Sequence, residues 1–118
     1  MAPADVRTAM TAIVAQYRRH QPLLVALSEM AGYDPQVSQT YRDLLTEIAG
    51  QLTRVIEDGQ AAGAIRPQLP PDATATSLTW MVERSCQQNL PGRPADYDPE
   101  LVEALTQIVW AALYLRET

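Results

Sequence analysis

Glu83 has more chemical potential than its surroundings suggest, because it follows Leu78-Thr-Trp-Met-Val82 in a largely apolar run that continues to Cys86 and Gln87. A carboxylate among apolar neighbours needs a hydrogen-bond partner or a raised pKa. Two readings therefore stand side by side: an anchor for a polar ligand group, or a structural ion pair or solvent-exposed charge. Tyr17 and Tyr41 divide in the same way, either placing hydroxyls in a pocket or packing as amphipathic core residues whose hydroxyls reach water. Cys86 is the only cysteine, and its nearest cation in sequence, Arg84, faces elsewhere on a helix. It reads as a small buried hydrophobe rather than a redox switch. His20, the single histidine, adjoins Arg19 at a helix joint and reads as an exposed helix-end residue. Arg18 and Arg19 would offset the C-terminal end of the helix dipole. No phosphate loop, zinc helix, nucleophile elbow or His-based dyad accompanies these groups, so neither catalysis, nor a metal, nor a cofactor is expected.

The elements that position these side chains follow from composition and proline placement. With 118 residues, 47% of them hydrophobic, the chain reads as one domain over 1–118, able to bury roughly two-thirds of its unfolded surface without disulfide or metal support. Net charge is -5 and the cations are scattered, which excludes direct nucleic-acid binding by clustered Lys and Arg. A lone cysteine and the absence of a signal-like apolar N-terminus point to a reducing, cytoplasmic setting.

Nine prolines mark the joints. They predict an all-α chain of five helices: Pro3 to Arg19, a short apolar helix from Pro22 to Ala31, a long helix from Pro35 to about Ala62, then Pro71 to about Asn89, and Asp98-Pro99 to Leu115. Asp34 is expected to cap the helix that follows it, and Gly32 and Gly63 to end the helices before them. The first helix places Val6, Ala9, Met10, Ile13, Val14 and Tyr17 on one broad face. The third steps 4, 3, 4, 3 through Tyr41, Leu45, Ile48, Leu52 and Val55, a narrow stripe of the sort that packs between helices.

The last helix is apolar almost all the way round. Leu101, Leu105, Ile108, Ala112 and Leu115 form one stripe, while Val102, Val109, Trp110, Leu113 and Tyr114 cover the flanks and part of the opposite face. One side can serve the chain's own core, so the other needs a partner. Glu100, Glu103 and Gln107 interrupt any membrane-length run, which leaves a protein surface and no membrane.

The segments Val55-Ile-Glu-Asp-Gly-Gln-Ala-Ala-Gly-Ala-Ile-Arg-Pro-Gln-Leu-Pro70, Leu78-Thr-Trp-Met-Val-Glu-Arg84 and Trp110-Ala-Ala-Leu-Tyr114 resemble the C-terminal regulatory domain of TetR-family transcriptional repressors, particularly the EthR-like subfamily. The resemblance implies a five-helix ligand-binding and dimerisation domain, with the helix-turn-helix that reads DNA absent from this chain. It implies a homodimer in which the last two long helices form an intersubunit four-helix bundle. Contacts would come from Val102, Val109 and Leu113, positions expected to be left over by the domain's own core, with Ser85, Cys86 and Asn89 less central.

It further implies a channel for a small hydrophobic effector. Its lining would be Val6, Ala9, Met10, Ile13 and Tyr17, then Tyr41, Leu45, Ile48, Leu52 and Val55, then Thr79, Val82, Glu83, Cys86 and Gln87. Val6, Ile13 and Ile48 stand where the subfamily has large aromatics, and Thr79 and Val82 stand at its two amide positions. Ordinary core packing of the same stripes competes with the channel, and a helical homodimerisation module without a pocket is the alternative function. DNA would be reached only through the N-terminal domain.

Overall fold

The first two expected helices are one. The computed structural model describes residues 3–114, in which α1 (Pro3–Ala31) runs unbroken through Pro22 and is followed by α2 (Pro35–Ala61), α3 (Pro71–Asn89), a 3-10 turn at Ala95–Tyr97 and α4 (Asp98–Leu113). The chain is thus all-α with four long helices rather than five, and no strand occurs among the described residues.

A mid-helix proline loses a backbone hydrogen bond and costs about 3 kcal/mol, so something must hold both sides of Pro22 in line. Before it, Arg18 is tied to the α3–α4 connection by four acceptors other than its own helix neighbour. After it, Leu24 packs on the main core and Ser28 accepts a hydrogen bond from Gln87 of α3. Tertiary contacts on both sides override the local break.

The other joints follow local rules more closely. Asp34 Oδ1 accepts from the backbone N–H groups of Gln36 at 3.0 Å and Val37 at 3.3 Å, capping α2 with Pro35 at its first position. Gly63, at φ 76°, supplies the left-handed turn after α2. Gly59 has a different role: a Cβ there would come within 2.6 Å of Ile65 Cγ1, so the missing side chain lets the fully buried Ile65 fold back onto the helix. Gln60 Nε2 then donates to the carbonyls of Arg66 and Leu69, fixing the turn. The Arg66 backbone N–H donates to the Leu113 carbonyl at 3.0 Å, which joins this turn to the end of α4. Asp98 does not cap α4. Tyr97 occupies that position with no side-chain cap, and the Asp98 carboxylate serves Arg18 instead.

The three-residue joint 32–34 folds α2 back on α1. α3 lies along α2, and α4 along α1. The molecule extends 44 × 34 × 18 Å. The long dimension matches a 29-residue helix at about 1.5 Å per residue, and the short one leaves room for roughly two helix layers. So thin a slab cannot cover every apolar face.

The core joins Val6, Met10, Val14 and Tyr17 of α1 to Ala75, Leu78, Val82 and Cys86 of α3 and Leu101, Val102, Leu105, Val109 and Leu113 of α4. Two expected faces are rotated relative to it. On α2 the buried positions are Leu45, Ala49 and Ile56, so the stripe through Ile48 and Val55 turns to solvent, at 45% and 44% exposure. On α4, Val102, Val109 and Leu113 are buried within the protomer and are not left over. The exposed apolar surface is Ile108, at 48%, beside Ala104 and Ala111. Leu115 lies outside the described residues.

A polar cluster between three helices as candidate functional site

Tyr17 from α1, Tyr41 from α2 and Glu83, Cys86 and Gln87 from α3 come together. Spacing explains the α3 contribution: Trp80, Glu83 and Gln87 recur at steps of three and four and share a face, with Cys86 on its core side. The ring of Trp80 meets Tyr41 edge to face at 6.2 Å between centroids, setting the separation of α2 and α3. Burial first, then hydrogen bonding and charge from Glu83, raise the Tyr41 pKa well above the ordinary phenol value. Tyr17 is 6% exposed, and burial, then Glu83 and Cys86, raise its pKa. Burial pushes the Cys86 thiol up to about 11, with Glu83 adding to it. A protonated thiol at neutral pH is a poor nucleophile.

Three side-chain atoms in this cluster are buried with no protein partner: Tyr17 Oη, Glu83 Oε2 and Gln87 Oε1. Gln87 uses its amide nitrogen on Ser28 Oγ, so its carbonyl oxygen is the atom left over. Buried acceptors without partners are uncommon in folded proteins, and each costs on the order of 1–3 kcal/mol.

The expected lining divides. Val6, Met10, Leu45, Val82 and Thr79 are buried, and Leu52 is half-buried. Ala9, Ile13, Ile48 and Val55 are exposed and do not close a channel by themselves. Helix register nevertheless aligns some of them with the cluster. Ile13 is one turn before Tyr17 on α1 and Ile48 two turns after Tyr41 on α2, so both lead away from the 32–34 joint in the same direction. Ser85 and Asn89 are half-buried on the other flank of α3, and Asn89 donates to the Ser85 carbonyl within its own helix.

Ser28 and Trp80 are members that the sequence reading passes over. Ser28 stands eleven residues, about three turns, after Tyr17, a signal that becomes readable only once α1 is known to be continuous. A separate open cleft of about 570 Å³ lies on the outer face of α1, lined by Ala4, Arg7, Thr8, Thr11, Ala12 and Ala15.

Comparison with known proteins adds the family. No curated protein matches the chain. The model of the C-terminal domain of the transcriptional regulator EthR matches residues 6–115, a span that takes in α2, α3, α4, all but the first three residues of α1, and every member of the polar cluster. The chain belongs to the EthR C-terminal domain family, the regulatory portion of TetR-type transcriptional regulators.

Proposed function

We propose that this domain binds a small, largely apolar effector between α1, α2 and α3, pairs with a second copy through α3 and α4, and so controls an attached DNA-reading domain. The observation that carries the reading is the trio of unpartnered buried atoms on Tyr17, Glu83 and Gln87, one from α1 and two from α3. Family membership supports both the effector and the dimer. The exposed apolar side chains Ile13 and Ile48, on the same helices as Tyr17 and Tyr41, supply contact area for an apolar body.

Continuity of α1 supplies a mechanism. A rigid helix of 29 residues carries Tyr17 about 20 Å and Ser28 nearly 40 Å from Pro3, at about 1.5 Å per residue, so a small tilt at the cluster becomes a larger displacement at Pro3. An effector acts by binding one tilt more tightly than another, which shifts the equilibrium between them. In the two-fold dimer that displacement resets the spacing of two DNA-reading domains, and half-site spacing on DNA is strict. The dimer contact uses Ile108, Ala104 and Ala111 rather than Val102, Val109 and Leu113, because the latter are consumed by the protomer core.

Thermal melts against a diverse panel of apolar compounds test the effector. A ligand at about 100 times its Kd should add about 2.7 kcal/mol of stability. A panel without a single stabilising compound would remove the effector reading. Sedimentation at micromolar concentration tests the dimer: the natural chain should sediment as a dimer and Ile108→Glu as a folded monomer, whereas a monomeric natural chain overturns the pairing.

A further inference from the structure

We infer that the polar end of the occupant is a primary ammonium group, so that the effector class is an amphiphilic amine with an apolar body. The inference rests on the effector reading above and narrows it. Glu83 Oε2 and Gln87 Oε1 can only accept hydrogen bonds, and the Tyr17 hydroxyl oxygen can accept as well. An ammonium offers donors and no acceptor, the complement of an unpartnered carboxylate oxygen such as Glu83 Oε2. A hydroxyl head has one donor to give, and a carboxylate head has none and would face Glu83 as a like charge.

The surroundings favour a cation. Tyr41 and Cys86 face the cluster as neutral groups, and burial holds both protons well above neutral pH. Arg84, whose charge is felt by Tyr41, is exposed and about 100° round α3 from Glu83. Arg18, next to Tyr17 in sequence, is already engaged by Asp98. An ammonium would supply Glu83 with a countercharge, while the apolar body extends from the cluster toward Ile13 and Ile48, the direction in which α1 and α2 expose apolar side chains.

Three probes with one body separate the possibilities: phenylbutylamine, phenylbutanol and phenylbutanoate, titrated calorimetrically into the natural chain and into Glu83→Gln. The amine should bind at least about tenfold more tightly than the alcohol, the worth of one charge-assisted hydrogen bond, and the acid most weakly. Glu83→Gln should cost the amine at least about tenfold and the alcohol no more than about threefold, with circular dichroism reporting that the variant folds. Equal affinity for amine and alcohol in the natural chain would overturn the ammonium assignment while leaving an apolar effector in place. Tighter binding of the acid, or an amine affinity untouched in a folded Glu83→Gln, would overturn it too. Failure of all three probes to bind would count against the effector site itself, and against its head group with it.

Discussion

Arg18 and Tyr17 are neighbours on α1 and enter two polar clusters of opposite character. Arg18 donates through Nε and Nη2 to Asp98, with contacts at 3.0 and 2.7 Å, and to the carbonyls of Leu90 at 3.0 Å and Pro94 at 3.2 Å. Asp98 raises its pKa further by hydrogen bonding. The fork of donors in a guanidinium is matched by acceptors from the α3–α4 connection, and nothing is left for a ligand. Tyr17 reaches a cluster with three open positions and no cation among its members. A satisfied cluster holds helices together, and an unsatisfied one costs stability unless something fills it. The same helix therefore carries a structural clamp and, one residue away, a member of a cluster whose buried polar atoms lack protein partners.

The clamp should give the largest effect. Arg18→Ala strips partners from the largely covered Asp98 carboxylate, the part-buried Leu90 carbonyl and the exposed Pro94 carbonyl, and releases the helix just ahead of Pro22. A loss of about 3 kcal/mol is expected, seen as a fall in melting temperature of roughly 10 °C. Arg18→Lys keeps the charge but not the fork and should recover about half of it. A change in Arg18→Ala below about 1 kcal/mol would erase the distinction between the two clusters, since the satisfied one would then contribute no more than an exposed ion pair.

What could be read from the sequence follows the same division between local and tertiary causes. Asp34-Pro35, Gly63 and Pro71 act through their own backbone, and the helix limits they imply hold to within about a residue. Pro22 fails for the opposite reason. It obeys a local rule until Arg18, a residue with no periodic signature, ties α1 to a distant partner. Faces were harder than ends. A helix with apolar residues over much of its circumference offers several stripes, and only the neighbours decide that Leu45, Ala49 and Ile56 turn inward while Ile48 and Val55 do not. On α4 the same ambiguity exchanges Ile108 for Val102, Val109 and Leu113. The polar members of the cluster were legible by residue type, because Tyr17, Tyr41 and Glu83 stand out in apolar stripes. Their unpartnered atoms could not be read, since a missing hydrogen bond exists only once three helices are in place.

Alkaline pH gives an intermediate test of the comparison. Tyr17, Tyr41 and Cys86 are acids whose folded-state pKa values lie above their ordinary ones, so each contributes stability that is complete below its unfolded pKa and is lost as pH rises through the folded value. For Cys86 that window runs from about pH 9, its ordinary range, to about 11. Arg18 keeps its proton throughout. Unfolding free energy measured from pH 8 to 11 should therefore fall, and fall less steeply in Cys86→Ala. Identical slopes in the two proteins would mean that the thiol does not sit in the low-polarity environment that distinguishes this cluster from the clamp.

The smallest expected effect is the sharpest, because its sign is reversed. Tyr17→Phe removes the buried hydroxyl that has no partner and keeps the ring that packs in the core. Deleting an unsatisfied buried polar group relieves its desolvation penalty, so the variant should be more stable than the natural chain by about 1 kcal/mol. The midpoint of urea unfolding should rise with its slope unchanged. One residue along, Arg18→Ala moves the same midpoint the other way. A loss in Tyr17→Phe would mean that the hydroxyl is satisfied in the free protein, by an ordered water for instance. The cluster would then be a second structural clamp rather than a site awaiting a ligand. A gain in the free protein that vanishes or reverses when phenylbutylamine is present would place the hydroxyl in contact with the bound amine, since only a ligand-contacting group is costly to remove in one state and favourable to remove in the other.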